Sequence, residues 1–302
     1  MDEAQSFARA SRATSTLRAY ASDWADFDRF CVEHGLSALP ADPGTVALYL
    51  TDLAHSHRPS TLTRRTAAIS IEHKRRGLAS PTADPRVGEI LRGIRRTLGT
   101  ATKEAAPLGI GEVRRVVAHL PDSLAGARDR ALLLVGFASA MRGSELVALN
   151  VEDIERRDEG LVLVQRRGKT DQEGVSARRA IPWGRDQQTC PVSALDAWLA
   201  RSEIVQGAVF RGVTRHDKIG SDRLSQRGVT LVVKRATSDA GLDPTAFTSH
   251  SLRAGFCTTA AAAGASERAI ANQSGHRDMQ TLRKYVRHGT VFIDNAVSAL
   301  GL

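Results

Sequence analysis

Helical periodicity covers most of this 302-residue chain and is interrupted by one region of strand-like sequence. Residues 14–34 carry apolar side chains at alternating steps of three and four, which places them on one face of an amphipathic helix. That stripe consists of Leu17, Tyr20, Trp24, Phe27 and Cys31. The strand signal is GLVLVQ at 160–165, followed by the polar turn RRGKTDQEG and the second run SARRAIPW. Two apolar runs around a Gly-containing turn predict a β-hairpin.

The fold is therefore predicted to be mainly α, with two domains. Residues 1–98 form a four-helix domain, with helices over about 14–34, from Pro43, over 59–76 and over 84–98. The stretch GTATKEAAPLG at 99–109 is small and polar and predicts a linker. Residues 110–302 form an α+β domain that contains the hairpin. Its later helices are expected near 191–202, 225–240, 249–263, 266–273, 278–288 and, as a C-terminal tail, about 290–302.

The overall charge favours a polyanionic partner. The formal net charge is +9 and the isoelectric point is about 10.1, a balance typical of proteins that bind nucleic acid or anionic surfaces. The N-terminus lacks the apolar core of a secretory signal, and the longest apolar run, Ala131 to Met141, is too short to span a membrane. The three cysteines, Cys31, Cys190 and Cys257, are widely separated. We expect a reducing cytoplasm and no membrane association.

Positive charge is concentrated in the first domain. Between Arg58 and Arg96 the sequence has ten Lys or Arg residues and three acids, which is +7 for that segment. A solvated helix face is the alternative explanation, but the imbalance favours contact with phosphates. The predicted DNA-binding residues are Arg64, Arg65, Lys74, Arg75, Arg76, Arg95 and Arg96.

Nucleotide and metal sites are not predicted. Gly168-Lys169-Thr170 would need a glycine five residues earlier to form a phosphate-cradling loop, and that position is Leu163. No pair of cysteines has metal-ligand spacing, His276 and His288 are twelve residues apart, and His250 has no carboxylate or histidine at helical ligand spacing. The acids are scattered among arginines. We therefore expect no metal, no nucleotide and no other cofactor.

Several short motifs carry charged or nucleophilic side chains. In TSHSLRAGF, His250 and Arg253 are three residues apart and share a helix face. In MRGSELVAL, Arg142 and Glu145 have the same spacing directly after the most apolar helix. The stretch GHRDMQTLRKY ends in Tyr285, one of three tyrosines, amid strong positive charge. Taken singly, each motif is also compatible with a surface ion pair or a packed aromatic side chain.

In chain order, these motifs resemble the tyrosine recombinase (phage integrase) family. The family's catalytic domain carries Arg, Lys, His-x-x-Arg, His or Trp, and Tyr, and the stretches that match are SAMRGSELVAL, RRGKTDQEG, TSHSLRAGFCTTAAAAGASERAIANQSGH and RKY. The six matching residues are Arg142, Lys169, His250, Arg253, His276 and Tyr285. The spacing from His250 to His276 and from His276 to Tyr285 also agrees with the family. The first hundred residues resemble its core-binding (SAM-like) domain.

The resemblance implies a chemical role for each of the six. Tyr285 would attack a DNA phosphodiester to give a 3′-phosphotyrosine link, so strands are rejoined without ATP. The two arginines would hold the non-bridging oxygens, and His250 would take the tyrosine proton. Lys169 would protonate the leaving 5′-oxygen, and His276 would position the phosphate. Glu145 would orient the active-site arginine or lysine without contacting the phosphate itself.

The resemblance to this family also implies partners, an oligomeric state and a cellular location. A two-domain, Cre-like or Xer-like recombinase acts on double-stranded DNA with inverted half-sites, as a tetramer on two synapsed sites, in integration, excision or resolution. The apolar tail, including Val291, Phe292 and Leu300, would dock on its own domain or on a neighbouring protomer. We expect a bacterial cytoplasmic protein that associates with the nucleoid when bound to DNA. Two alternatives are a type IB topoisomerase-like enzyme and a non-catalytic helical DNA-binding regulator.

Overall fold

The computed structural model describes residues 14–100, 104–165 and 177–291, together with Val297 and Leu300. The chain divides into two compact units, Met1–Lys103 and Glu104–Leu302. Within the described residues, no helix combines the length and apolar character needed to cross a membrane.

The first unit is helical. Its helices are α1 (Thr14–Glu33), α2 (Pro43–Ala54), α3 (Pro59–Arg75) and α4 (Pro85–Leu98), with a 3₁₀ turn at Pro81–Ala83. Two of them begin at an Asp-Pro pair, because the aspartate caps the helix while the proline occupies a first-turn position that needs no N–H donor. Asp42 accepts from the main-chain N–H of Gly44 at 2.6 Å, and Asp84 accepts from that of Arg86 at 2.9 Å.

The core of this unit lies between α1, α2, α3 and α4. Phe27 and Tyr49 are fully buried, and their rings meet edge to face at a centroid distance of 5.1 Å. Leu50, Leu62 and Ile69 complete the interior without measurable exposure. Aromatic pairs of this kind add to the stabilisation from burial itself.

The second unit combines helices with short strands. Its helices are α5 (Ile110–Ala118), α6 (Leu124–Ser139), α7 (Gly143–Ala148), α8 (Pro191–Ser202), α9 (Gln226–Asp239), α10 (His250–Ala262), α11 (Glu267–Ser274) and α12 (Met279–Gly289). Its strands are β1 (Ile154–Arg157), β2 (Gly160–Gln165), β3 (Ala177–Pro182), β4 (Arg211–Val213) and β5 (Ile219–Arg223). Further 3₁₀ turns occupy Val151–Asp153, Gln187–Thr189 and Pro244–Ala246.

The strands form two small antiparallel sheets. One has the order β1-β2-β3, and the other pairs β4 with β5. In the β2–β3 pair, Leu161 lies opposite Ile181 and Leu163 opposite Arg179. The predicted mainly α fold with a small β-hairpin is confirmed, although β1, β4 and β5 were not predicted because they are short and have no fully buried residue.

Helix α6 is the centre of the second unit. It is apolar on nearly all sides, which is typical of a helix surrounded by other elements. Gly136 on this helix meets α10 so closely that an added Cβ would lie 2.9 Å from Leu252 Cδ1. On another side, α8 contributes the fully buried Trp198, whose indole donates to the Val209 carbonyl at 2.8 Å.

The end of the predicted linker is packed into the second unit. Ala106 donates to the carbonyl of Ala246, and Leu108 donates to that of Ser251, both at 2.9 Å. Leu108 is fully buried. Gly255 allows this approach, because a Cβ there would lie 1.8 Å from the Leu108 carbonyl oxygen. This part of the 99–109 segment therefore differs from the free linker predicted from composition.

Candidate active site

Tyr285 and His250 are joined by a short hydrogen bond. Tyr285 is on α12, His250 is the first residue of α10, and the phenolic oxygen lies 2.7 Å from Nε2 of the imidazole. Burial raises the pKa of Tyr285. Burial and the positive charges of Arg253 and Arg142 lower the pKa of His250. At neutral pH the pair is therefore a protonated phenol beside a neutral imidazole that can accept its proton.

Arg253 is almost completely buried on α10, with 1% of its surface exposed. Its Nη1 donates to the Ala140 carbonyl at 2.8 Å and also to the Ser274 carbonyl. Its Nη2 is buried and has no hydrogen-bond partner among the described residues. Burial and the nearby charge of Arg142 lower the pKa of Arg253 to about 10, so the group stays charged at neutral pH. A buried donor without a partner is costly, and a bound anion would satisfy it.

Arg142 is held at the start of α7 by Glu145. The carboxylate accepts from the main-chain N–H of Arg142 at 3.0 Å and from its Nη1 at 2.6 Å. Burial alone would raise the pKa of Glu145, but the hydrogen bonds from Arg142 and the charges of Arg179 and Arg142 outweigh it, and the pKa is lowered. The Arg142 side chain remains 27% exposed while that of Glu145 is 3% exposed. The guanidinium therefore faces outward from a fixed carboxylate.

Arg179, which the sequence did not single out, connects the hairpin to the site. It lies on β3 with its side chain 4% exposed, and its Nη2 is 3.5 Å from Glu145 Oε2. It also donates to the Gln165 side chain on β2 and, at 3.0 Å, to the Gln273 carbonyl on α11. Burial lowers the pKa of Arg179. The sequence did contain a signal for this role. In the strand ARRAIP, Arg179 is on the same inward face as Ile181, and a charged side chain there needs a buried partner.

His276 follows α11 and lies beside Tyr285, with ring centroids 5.9 Å apart. Its Nδ1 is 2.7 Å from the hydroxyl of Ser274, a fully buried residue that sequence reasoning also missed. Burial, followed by the charges of Arg253 and Arg142, lowers the pKa of His276 to about 4. His276 is therefore neutral at physiological pH in the free protein.

Two of the site segments approach each other through a glycine. Gly143 follows Arg142 directly, and a Cβ on it would lie 2.9 Å from the hydroxyl of Ser249, the residue before His250. Ala140, on the other side of Arg142, has a left-handed φ of 51°. This conformation costs a residue with a Cβ about 1 kcal/mol or more. The turn that carries Arg142 is thus fixed by close packing and by an unusual main-chain conformation.

Two predicted features lie outside the described residues. Lys169 belongs to the segment between β2 and β3 that the structure does not describe. Most of the predicted tail helix over 290–302 is also outside the described part. Five of the six predicted catalytic residues can therefore be placed, namely Arg142, His250, Arg253, His276 and Tyr285.

Arg65 is turned into the first unit rather than toward solvent. Its side chain is 12% exposed and forms ion pairs with Asp26 and, at 3.8 Å, with Asp23. The guanidinium also donates to the Tyr49 hydroxyl at 2.7 Å. Because the buried Asp23 and the half-buried Asp26 both pair with the guanidinium, the expectation that Arg65 contacts DNA phosphates is corrected: Arg65 is part of the internal structure of this unit.

The other predicted DNA-binding residues are exposed. They are Arg64, Lys74, Arg75, Arg76, Arg95 and Arg96. Arg64 pairs with Asp23 at 2.5 Å, and Arg75 pairs with Glu72 at 2.6 Å. The Arg64 side chain is exposed although its partner Asp23 is buried, whereas Arg75 and Glu72 pair at the surface, where an ion pair is weak and can exchange for a phosphate at little cost.

The site as a whole presents two arginines, two neutral imidazoles and a phenol. Guanidinium groups bind phosphate oxygens, and a phenol next to a neutral imidazole is an activated oxygen nucleophile. Across the described ranges, no cluster of three or more His, Cys, Asp or Glu side chains could hold a metal ion. The arrangement suits nucleophilic attack on a phosphate ester.

Solved structures with this fold include enzymes that act on DNA. The XerH site-specific recombinase, bound to a palindromic difH substrate in a post-cleavage complex, superposes with a TM-score of 0.63 at 17% identity, covering 86% of this chain and 73% of that chain. A lambda integrase dimer bound to a COC′ core site superposes with a TM-score of 0.58 at 16% identity, covering 91% of this chain and 89% of that chain.

Sequence comparison gives the class. The phage integrase family model matches residues 110–290. An integrase/recombinase XerD homologue of Selenomonas ruminantium is 37% identical over 96% of this chain and 86% of its own length. The tyrosine recombinase XerD of Agrobacterium fabrum is 26% identical over 90% of this chain and 84% of its own. The chain therefore belongs to the phage integrase family and is a tyrosine-type site-specific recombinase.

Proposed function

We propose that this recombinase cuts and rejoins double-stranded DNA with Tyr285 as the nucleophile. The observation that carries this assignment is the 2.7 Å contact between the Tyr285 hydroxyl and His250 Nε2. A phenol has an ordinary pKa of about 10, and burial raises that of Tyr285 further, so a proton acceptor in contact with it is required. His250 is the acceptor, because its lowered pKa keeps it neutral at pH 7.

In the proposed cleavage step, one bond to phosphorus forms as another breaks, and each proton that is released has an acceptor. The Tyr285 oxygen forms a bond to phosphorus, and its proton passes to His250 Nε2. The bond from phosphorus to the 5′-oxygen breaks, and that oxygen takes a proton from Lys169. The products are a 3′-phosphotyrosine link and a free 5′-hydroxyl. Attack by the 5′-hydroxyl of a partner strand reverses each transfer and joins the strands without another energy source.

The two arginines bind the non-bridging oxygens of the phosphate. The buried Nη2 of Arg253, which lacks a protein partner among the described residues, supports this role. Glu145 fixes Arg142 but leaves it partly exposed, as a phosphate ligand must be. Preorganised donors of this kind stabilise charge that builds up in the transition state, where each is worth roughly 3–4 kcal/mol. His276 completes the pocket beside the phosphate and Tyr285.

The DNA is bound by both units. The exposed basic residues of α3 and α4 support phosphate contacts by the first unit, with Arg65 now excluded from that set. Related structures hold XerH on a palindromic substrate and lambda integrase as a dimer on a core site, which supports inverted half-sites and a homo-oligomer. A tetramer on two synapsed sites follows from exchange between two such pairs. The bacterial cytoplasm, at the nucleoid, is the compartment that fits this activity.

The test is capture of the covalent intermediate. Nicked duplexes tiled across the DNA that flanks the gene are incubated with the protein without metal or ATP, and SDS-resistant protein–DNA adducts are scored. We expect an adduct with the wild-type protein and none with Tyr285→Phe, while the DNA affinity of the variant stays close to wild type. Tyr49→Phe, which changes a buried tyrosine of the first unit, is the matched control.

Three outcomes would count against the assignment. An adduct that persists in Tyr285→Phe would place the nucleophile elsewhere. Tight binding without an adduct on any duplex would favour a non-catalytic DNA-binding protein. Relaxation of supercoiled DNA by monomers with no site preference would instead favour the topoisomerase-like activity.

A further inference from the structure

Ser274 contacts two of the proposed catalytic side chains. It is the last residue of α11 and is fully buried. Its hydroxyl lies 2.7 Å from Nδ1 of His276, and its main-chain carbonyl accepts a hydrogen bond from Arg253. A buried serine in this position has no access to a substrate of its own. It also bonds the Cys257 thiol, which is not among the proposed catalytic groups. We therefore expect Ser274 to affect the reaction through His276 or Arg253.

The Ser274 hydroxyl donates one hydrogen bond and accepts another, and its neighbours decide which is which. A serine hydroxyl has one proton to donate and can accept from others. The Ile270 carbonyl, which can only accept, lies 2.6 Å from the hydroxyl oxygen. If the proton pointed to His276 instead, two oxygens would face each other at that distance with no proton between them. The hydroxyl therefore donates to Ile270, and the 2.7 Å contact needs a proton from Nδ1 of His276.

The neutral imidazole of His276 carries one ring proton, on either Nδ1 or Nε2. His276 faces the charged side chains of Arg253 and Arg142 and the imidazole of His250, with Asp278 as the opposing acid, and Tyr285 lies beside its ring. The net effect of burial and these charges keeps it neutral, with a pKa of about 4. If Nδ1 carries the single proton, the other ring nitrogen, Nε2, is a bare acceptor.

We propose that Ser274 is a positioning residue that holds neutral His276 in its Nδ1–H tautomer and leaves Nε2 unprotonated in the DNA-free protein. In that state Nε2 cannot donate a hydrogen bond to a phosphate oxygen. Donation begins only when the ring takes up a second proton from solvent, which a bound phosphodiester favours because its negative charge opposes the nearby arginines. Binding of the scissile phosphate is therefore coupled to proton uptake at His276. This inference concerns the same site as the proposed function and rests on it for the role of the phosphate.

The tautomer can be measured directly on the free, full-length protein. With ¹⁵N-labelled histidine, the chemical shifts of the two ring nitrogens distinguish a protonated from an unprotonated nitrogen at pH 7.5. The His276 signals are assigned by their loss in His276→Gln. We expect Nδ1 protonated and Nε2 unprotonated in the wild-type protein, and the reverse in Ser274→Ala. Ser202→Ala, at another buried serine that bonds a helix carbonyl, should leave the His276 signals unchanged.

A wild-type spectrum with Nε2 protonated would overturn the inference, and this result does not depend on any variant being folded. The measurement is also independent of DNA cleavage. Loss of the adduct in Tyr285→Phe tests the nucleophile, whereas the ring-nitrogen spectrum tests Ser274 whether or not the protein cuts DNA. The failure of one is therefore distinguishable from the failure of the other.

Cleavage provides a second measurement. A group that must be protonated to act loses about tenfold of its active form for each pH unit above its pKa. The wild-type rate of adduct formation should therefore decline as pH rises through the pKa of His276 in the DNA complex. In Ser274→Ala, Nε2 carries a proton without uptake, so the decline should be shallower. Identical pH profiles for the two proteins would contradict the inference.

Discussion

Arg253 donates a hydrogen bond of 2.8 Å from Nη1 to the carbonyl oxygen of Ala140. Ala140 is in the left-handed conformation, and it lies two residues before Arg142. The bond therefore ties one proposed phosphate-binding arginine to the turn that carries the other. Because Nη1 is occupied by main-chain carbonyls, Nη2 is the end of the guanidinium that remains for a ligand.

Removal of Arg179 should reduce both stability and cleavage. Arg179→Met leaves the Gln165 side chain and the Gln273 carbonyl without their donor and removes a buried charge from beside Glu145. We expect the free energy of unfolding to fall by about 2–4 kcal/mol. Urea unfolding measures it, with adduct formation followed on the folded fraction.

The adjacent residue on the same strand is the matched control. Arg178 pairs with Glu155 at the surface, and both side chains are more than 40% exposed. Arg178→Met should change the unfolding free energy by less than about 1 kcal/mol, because exposed ion pairs contribute little. Equal losses in the two variants would contradict the special position of Arg179.

Acid should destabilise the protein partly through His276. The folded-state pKa of about 4 is below the ordinary histidine value of about 6.5, so the unfolded chain binds a proton that the folded chain does not. This contribution to stability is complete above pH 6.5 and is lost as pH falls toward 4. Its loss between pH 7.5 and pH 5 should be roughly 1–2 kcal/mol.

Urea unfolding at these two pH values, in wild type and in His276→Gln, tests this dependence. The variant should lose less stability on acidification than the wild type. His216→Gln, which changes an exposed histidine in the turn between β4 and β5, should behave like the wild type. If His276→Gln were as acid-sensitive as the wild type, the lowered pKa would not be a source of that sensitivity.

Gly255 should not tolerate a side chain. A Cβ there would lie 1.8 Å from the Leu108 carbonyl oxygen, so Gly255→Ala must push residues 104–109 away from α10. Overpacking of this kind destabilises by about 1–3 kcal/mol or more. The control is Gly93→Ala in α4, where nothing lies within 4 Å of the added Cβ.

At Gly93 the alanine should be neutral or stabilising by up to about 1 kcal/mol, because alanine favours a helix interior. Thermal or urea unfolding of the two variants measures the difference. A Gly255→Ala protein as stable as the wild type would show that the segment before α5 is not held against α10 in this way.

Substitutions of Arg65 and of Arg96 should distinguish a structural role from a role in DNA binding. Arg65→Met removes the partner of two acids inside the first unit and should lower the unfolding free energy by about 2–4 kcal/mol. Arg96→Met, at an exposed position on α4, should leave stability unchanged. Instead, it should lower the slope of log affinity against log salt by about one.

Fluorescence anisotropy with a labelled duplex over a range of salt concentrations measures that slope. For Arg65→Met, the slope should match the wild type at a temperature where the variant is folded. An unchanged slope in Arg96→Met would indicate that this side chain contacts solvent rather than phosphate.

Much of the fold was predictable because it depends on local signals. Helix α8 has the predicted bounds of 191–202, and α2 and α4 begin at Asp-Pro pairs whose aspartates cap them. The other predicted helices in the described part of the chain agree with the structure to within a few residues, whereas the short helix α7 was not predicted. These features depend on residues less than two turns apart, so a single sequence contains them.

The errors arise where a side chain is defined by a distant partner. Arg65 looks like one more cation in a basic segment, but its acids lie 39 and 42 residues earlier on α1. Arg179 meets Gln273 94 residues away. Leu108 lies in a stretch of polar composition, yet a main-chain hydrogen bond to Ser251 holds it in the core. No local pattern records such pairings, because folding alone brings these residues together.

Nη2 of Arg253, which has no hydrogen-bond partner in the described part of the chain, also bears on the lifetime of the protein. A buried donor without a partner is a cost to the folded state that a bound phosphodiester removes, so occupancy of DNA and resistance to unfolding rise together. Protomers seated on a recombination site would then be protected from proteolysis, while unbound copies would be degraded first. The group proposed to hold the phosphate would thus also make DNA a stabilising ligand of the fold.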